Sequence, residues 1–239
     1  MSPPEVILVL LAASAAFTVS ASAGLGGSLI LVPALALVLG TKEGVALAAL
    51  LLALNNVVKV YAYRQTIPWA KSGLVIVLTI VGAAIGAGLL VAAPDPVVGV
   101  AVVVSIGLSL LLGERLAAGT RVRRAAAAPL AFAAGATSGF SGTSGPLKGI
   151  AIRHLELDRF HMAGAASIVS LAGDATKTAV FADAQLLGPE AVTLAVVCAP
   201  LMLIATFTGR TLNRNVGERG YAILFWAVMG GYSARLLLA

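Results

Sequence analysis

Gly24-Leu25-Gly26-Gly27-Ser28, with Pro33 after it, interrupts an apolar stretch that runs from Val6 to Ala23 before the glycines and from Leu29 to Leu39 beyond them. Read through, the two flanks would make one overlong spanning helix. Glycine is a poor helix former that tolerates positive φ, so the motif predicts a break in mid-membrane. A second break is predicted at Gly139-Phe140-Ser141-Gly142-Thr143-Ser144-Gly145-Pro146. Aligning the two breaks shifts the sequence by about 118 residues, a long-period self-similarity of the kind that marks a duplicated architecture. The shift places Gly24 on Gly142, Gly27 on Gly145 and Leu29 on Leu147. It also carries Asn56 onto Asp174 and Lys59 onto Lys177 without gaps. Identity is low elsewhere, so the repeat rests on where the matches fall rather than on their number.

Composition sets the class. Of 239 residues, 59% are hydrophobic and 11% charged, and mean hydropathy is +1.01. A soluble domain carries about 25% charged residues, so the chain reads as an integral membrane protein. Cys198 is the sole cysteine, which excludes an internal disulfide and a cysteine-based metal site. The net charge of +6 sits almost entirely in short links between apolar runs. That distribution points to membrane topology rather than nucleic acid. Val6 to Phe17 followed by Ala21-Ser22-Ala23 imitates a signal peptide, but Glu5 and the lack of a basic residue before it favour a retained helix.

A spanning helix needs roughly 20 apolar residues. On that measure the first half reads as Val6 to Ala23, the break, a short segment Ser28 to Leu39, then Glu43 to Tyr63, Gly73 to Val91 and Val97 to Leu112. The second half reads as Ala125 to Ser138, the break, a short segment Leu147 to His154, then His161 to Phe181, Leu187 to Thr208 and Tyr221 to Leu238. Each half is a broken pair plus three spans, and whether the broken pairs cross fully or re-enter stays open.

Basic residues set the orientation. Arg64 and Lys71, the cluster Arg115 to Arg124, Arg153 and Arg159, and Arg210 to Arg219 occupy four links expected inside, with Lys42 and Arg235 as exceptions. The links around Asp95 and from Asp183 to Glu190 lack basic residues and are expected outside, as are both termini. The expected fold is therefore all-α and integral to the membrane, with two inverted repeats, residues 1–118 and 119–239, forming one structural unit. A parallel repeat would put the Arg64 to Lys71 link and the Asp183 to Glu190 link on the same side, which their opposite charge character disfavours.

Lys59, Lys148 and Lys177 lie within apolar runs, where an ionised lysine costs roughly 3 kcal/mol on insertion scales. Asn55, Asn56 and Lys59 share one helical face; Ser167, Ser170, Asp174 and Lys177 form a longer stripe. The bland readings are that Lys59 snorkels toward Arg64, that Asp174 and Lys177 neutralise each other, and that the glycines only permit tight packing. Against these stands the repeat, which places two lysines equivalently after two breaks. A helix restarting at Ser28 or Pro146 offers unpartnered N–H groups and partial positive charge to an anion. The candidate site is Gly24, Gly26, Gly27, Ser28, Asn55, Asn56, Lys59, Gly142, Ser144, Gly145, Lys148, Asp174 and Lys177. In it the lysines neutralise the anion, the N–H groups bind its oxygens, the asparagines orient it, and Asp174 holds Lys177 or takes up a proton.

Ser141 in Gly139-Phe140-Ser141-Gly142 also fits the Gly-x-Ser-Gly of rhomboid proteases. That chemistry needs a histidine base on a later helix, whereas His154 and His161 flank a basic link and none follows them. His161 could instead relay protons, although its position favours a solvated residue. An enzyme is not expected.

The broken first helix, the Gly-x-Gly-Gly motif with a following proline, and the duplicated half resemble the sulfite exporter TauE/SafE family of membrane transporters over nearly the whole chain. The family motif runs roughly Gly-x-Gly-Gly-Gly before its proline; Gly24 to Ser28 with Pro33 match except for the final serine. The second copy keeps only Gly142 and Gly145 and has Lys148 where family members usually carry an apolar residue. The resemblance implies secondary transport of small sulfur-containing anions, such as sulfite, sulfoacetate or other organosulfonates, across a bacterial-type inner membrane. An extra lysine would favour a larger or more highly charged anion. No cofactor is expected. The expected partners are the small anionic substrate, a coupling proton or sodium ion, the lipid bilayer and, as a homodimer, a second copy of the chain; nucleic acid is not among them. An anion channel and a non-transporting membrane subunit are the alternatives.

Overall fold

The computed structural model describes residues 3–23, 26–117 and 127–212. Its elements are helices in the order α1 (Pro3–Ala23), α2 (Gly27–Leu39), α3 (Thr41–Tyr63), α4 (Trp69–Ala92), α5 (Asp95–Ala117), α6 (Ala127–Ser141), α7 (Gly145–Arg153), α8 (Arg159–Asp183) and α9 (Pro189–Leu212), with one 3-10 turn, Arg64–Thr66, after α3. Among the described residues, three stretches are long and apolar enough to cross a bilayer: Thr41–Thr66, Trp69–Ala92 and Pro189–Gly209. The outward faces of α4 and α9 expose Leu74, Val77, Val81, Ile85, Val192, Val196, Ile204 and Phe207. Such large apolar faces suit hydrocarbon rather than water. The chain is an all-α, multi-pass membrane protein.

Both predicted breaks occur, and each is narrower than the sequence suggests. At the first, Gly26 adopts φ 101° and caps α2. At the second, Gly142 adopts φ 75°, a left-handed conformation that disfavours a side chain. The expected end of α6 at Ser138 is corrected to Ser141, so Gly139, Phe140 and Ser141 are helical. Gly139 does not break the helix because it serves packing: a Cβ there would strike the backbone of α4 at Ala83, Gly86 and Ala87. Gly82, Gly86 and Gly135 meet the opposing backbone in the same way. Two small-xxx-small patterns, Gly82 with Gly86 and Gly135 with Gly139, thus bring α4 and α6 to backbone contact, as small residues do at helix seams in membranes. For these four glycines the packing reading holds.

The packing interleaves the chain. α1 lies against α9 and α6 against α4, α3 pairs with α8 in the middle, and α2 and α7 fold back on α1 and α6. Gly27 at the start of α2 abuts Ala16 and Ser20, one to two turns back along α1. The main core joins Phe17, Ile30, Leu31, Leu35 and Leu51 to residues of α5 and α9; a smaller one joins Val75, Ala131, Ile152, Ala165 and Val169. α2 is apolar and buried nearly all round, the pattern of a helix enclosed by others.

Helix ends sort by charge. Lys42, one of the two exceptions to the basic-link rule, reaches Asp95 at 3.5 Å and donates to the Val91 carbonyl at 3.2 Å. It therefore sits at the same end as the Asp95 link and is neutralised there. At the opposite end of α3, the Thr66 backbone packs on Gly164, so the links carrying Arg64 and Arg153 share an end. Gly24, the Arg121 to Arg124 link and the last expected span, Tyr221 to Leu238, lie outside the described residues.

Candidate functional site

α3 and α8 cross in the middle of the bundle, and their polar stripes meet there. The Asn56 Nδ2 amide donates to Asp174 Oδ2 at 2.8 Å, joining two residues 118 apart. Asp174 Oδ1 pairs with Lys177 Nζ at 2.7 Å. Because a carboxylate only accepts, the amide of Asn56 is fixed with its nitrogen toward Asp174, and Asn56 Oδ1 has no partner among the described residues.

Two lysine–serine contacts flank this join. Lys59 Nζ donates to Ser20 Oγ at 3.1 Å across 39 residues, and Lys177 Nζ donates to Ser138 Oγ at 3.0 Å across the same 39. The second contact is the first displaced by 118, so the shift that aligned the glycine breaks also aligns a side-chain geometry. Lys59 is 1% and Lys177 0% exposed. Lys59 therefore does not snorkel to the interface.

A third lysine has no such counterpart. Lys148 on α7 donates to Ser170 Oγ on α8 at 3.3 Å. Moved back by 118, the pair falls on Ile30 and Leu52, both apolar and buried.

These groups surround a cavity of about 30 Å³, lined by Ser20, Gly26, Gly27, Ser28, Leu29 and Leu52 together with Asn56, Ser138, Ser144, Lys148, Ser170 and Asp174. That is room for about two waters. The two chain breaks meet here: Gly26 to Ser28 come from the first and Ser144 from the second, while Gly142 packs on Val32 and Val45 of the first half. Gly26 and Ser144 precede helix N-termini with no side-chain cap. Pro33 has no N–H to offer the carbonyl of Leu29, one turn earlier beside the cavity.

Of the residues expected from the sequence, Gly26, Gly27, Ser28, Asn56, Ser144, Lys148 and Asp174 line the cavity. Lys59 and Lys177 stand behind it, each holding a serine that lines it. Asn55 turns to α9, where Thr206 Oγ1 donates to its Oδ1 at 3.2 Å. Gly142 sits at the second break with φ 75° and Gly145 opens α7, and Gly24 lies outside the described residues. The sequence reading missed Ser20 and Ser138, although a serine 39 residues before each of two equivalent lysines was there to be seen; Thr206 left no such signal. Ser141, the protease-like serine, is buried and donates to the carbonyls of Thr137 and Thr143 rather than to a histidine. His161 lies instead at the surface against Asp158.

Three lysines and one carboxylate around one small cavity carry a formal charge of +2 when all are ionised. Held at low dielectric, that surplus attracts an anion strongly. No curated protein and no solved structure gives a significant match to the chain. A family model does, that of the sulfite exporter TauE/SafE, over residues 8–236. The chain belongs to the sulfite exporter TauE/SafE family, whose members are transporters and not enzymes.

Proposed function

We propose that this protein is a secondary transporter that moves small sulfur-containing anions, sulfite, sulfoacetate or related organosulfonates, across the inner membrane by alternating access. The observation that carries the reading is the cationic cavity at the α3–α8 crossing, where Lys59, Lys148 and Lys177 outnumber Asp174. In this reading the lysines neutralise the substrate and the N–H groups that open α2 and α7 face its oxygens.

The two halves, residues 1–118 and 119–239, act as inverted repeats with both termini outside. Support comes from the Asn56–Asp174 bond across 118 residues, from the duplicated lysine–serine pairs, and from helices that pack across the halves, α1 on α9 and α6 on α4. An interface of that kind lets one half rock against the other around a fixed site. A cavity with room for about two waters suits an occluded carrier better than an open pore. A coupling proton would be carried by Asp174, whose two oxygens meet Lys177 and Asn56.

Counterflow tests the reading. Liposomes containing the protein and loaded with unlabelled sulfite should accumulate labelled sulfite transiently and with saturation. Non-saturating flux without counterflow would make the protein a channel, and no flux of any sulfur oxyanion would leave it a non-transporting subunit.

A further inference from the structure

Serines and threonines in apolar helices ordinarily give their hydroxyl hydrogen to the carbonyl one turn back. Here Ser14, Thr18, Thr137, Ser141, Ser167, Thr176 and Thr178 all do so. Ser20, Ser138 and Ser170 do not. Each instead accepts from a lysine: Ser20 from Lys59, Ser138 from Lys177 and Ser170 from Lys148. An ammonium has only donors, so each serine oxygen is the acceptor and its own hydrogen remains to be donated. None of the three donates a hydrogen bond to another described residue, although they are only 5%, 2% and 6% exposed. All three line the same cavity.

We infer that the hydroxyls of Ser20, Ser138 and Ser170, each held by a buried lysine, are the direct donors to the substrate and together match a head group with three acceptor oxygens, so that the site selects sulfonate and sulfite over carboxylate. The inference rests on the anion-transport reading above and adds to it the residues that touch the anion. Lys59 and Lys177 are positioning residues in this scheme, since each reaches the cavity through its serine. A donor chain from ammonium through hydroxyl to anion strengthens along its length. Asp174 also lines the cavity, but its two oxygens are taken by Lys177 and Asn56, which limits its repulsion of an anion. The unpartnered Asn56 Oδ1 takes a water or a donor group and is no ligand for an anionic oxygen.

Calorimetric titration of the purified full chain with methanesulfonate and with acetate separates the possibilities, because the two probes share a methyl group and differ in having three or two oxygens. The wild type is expected to bind methanesulfonate at least about tenfold more tightly than acetate. Ser20→Ala, Ser138→Ala and Ser170→Ala should each weaken methanesulfonate binding about tenfold, the equivalent of roughly 1.4 kcal/mol, and acetate binding less than threefold. A packing defect would weaken both probes alike. Ser138→Cys, near in size and a poor donor, supplies the same measurement if an alanine variant fails to fold. If the wild type binds methanesulfonate and the variants keep its affinity and its preference over acetate, the serine assignment is overturned and the transport reading stands. If the wild type binds neither probe nor sulfite, both fall.

Discussion

The two halves of the chain share a lysine–serine pair and little else around it. In the first half Lys59 holds Ser20, and the neighbouring positions are Asn56, Ile30 and Leu52; in the second Lys177 holds Ser138, and the equivalent positions are Asp174, Lys148 and Ser170. Both pairs bring a serine to one cavity, while the lysine and the carboxylate that line it come from the second half only. The cavity thus takes different side chains from the two halves: Leu29 and Leu52 beside Ser20, Ser28 and Asn56 from the first, and Ser138, Ser144, Lys148, Ser170 and Asp174 from the second. The packing seams differ in the same spirit. α6 meets α4 glycine to glycine, whereas at the equivalent seam of α1 with α9 Phe17 stands where Gly135 stands in the second half.

The largest expected effect breaks the tighter seam. Gly86→Leu drives a side chain into the Ala136 backbone and should abolish folded protein, read as loss of the monodisperse peak after detergent extraction. Phe17→Ala on the looser seam leaves a cavity costing about 3–5 kcal/mol, so a folded but less stable protein should remain. Equal damage from both would deny that the seams differ.

Next in size is the Asn56–Asp174 join. Asp174→Ala strands the buried ammonium of Lys177, and breaking a buried pair costs about 3–5 kcal/mol. Asn56→Ala removes only a neutral donor, at about 1–3 kcal/mol. Melting temperatures of the two variants should rank in that order, and the reverse order would mean that the Asp174–Lys177 pair contributes less than the Asn56 donor.

Lys148→Ile sharpens the comparison by making the second half copy the first. Removing a lone buried cation should leave the empty protein as stable as before or more so, by up to about 3 kcal/mol, while lowering sulfite affinity about tenfold or more, at least 1.4 kcal/mol. Stability and affinity falling together would mean that Lys148 holds the fold rather than the anion. The smallest effect is expected at the Lys42–Asp95 contact, where Asp95 is 62% exposed: Lys42→Ala should cost under about 1 kcal/mol and leave transport unchanged.

Much of this was legible in the sequence. Runs of apolar residues set α1 to α9 to within a few residues, and one shift aligned both breaks, both lysines, and Asn56 with Asp174, although it did not show that those two residues bond. What the sequence hid depends on partners. Gly139 looks like a helix breaker until α4 is beside it, when its missing Cβ becomes the reason the helix can continue. Ser20 and Ser138 look like ordinary serines in apolar helices, because nothing local distinguishes a hydroxyl bonded one turn back from one turned to a lysine on another helix. Asn55 looks like a twin of Asn56, yet adjacent residues on a helix face about 100° apart, and only the neighbours decide that one meets Asp174 and the other Thr206.

The central claim, a cationic cavity built for a sulfur oxyanion, is tested most directly by thermal stabilisation of the purified protein across sulfite, thiosulfate, sulfoacetate, taurine, sulfate, phosphate and acetate. A ligand that binds the folded state raises its stability by about 2.7 kcal/mol at a concentration one hundred times its Kd. The account predicts a selective rise in melting temperature with sulfite or a sulfonate that is lost in Lys148→Ile. No rise with any of these anions, or an equal rise in the variant, would contradict it.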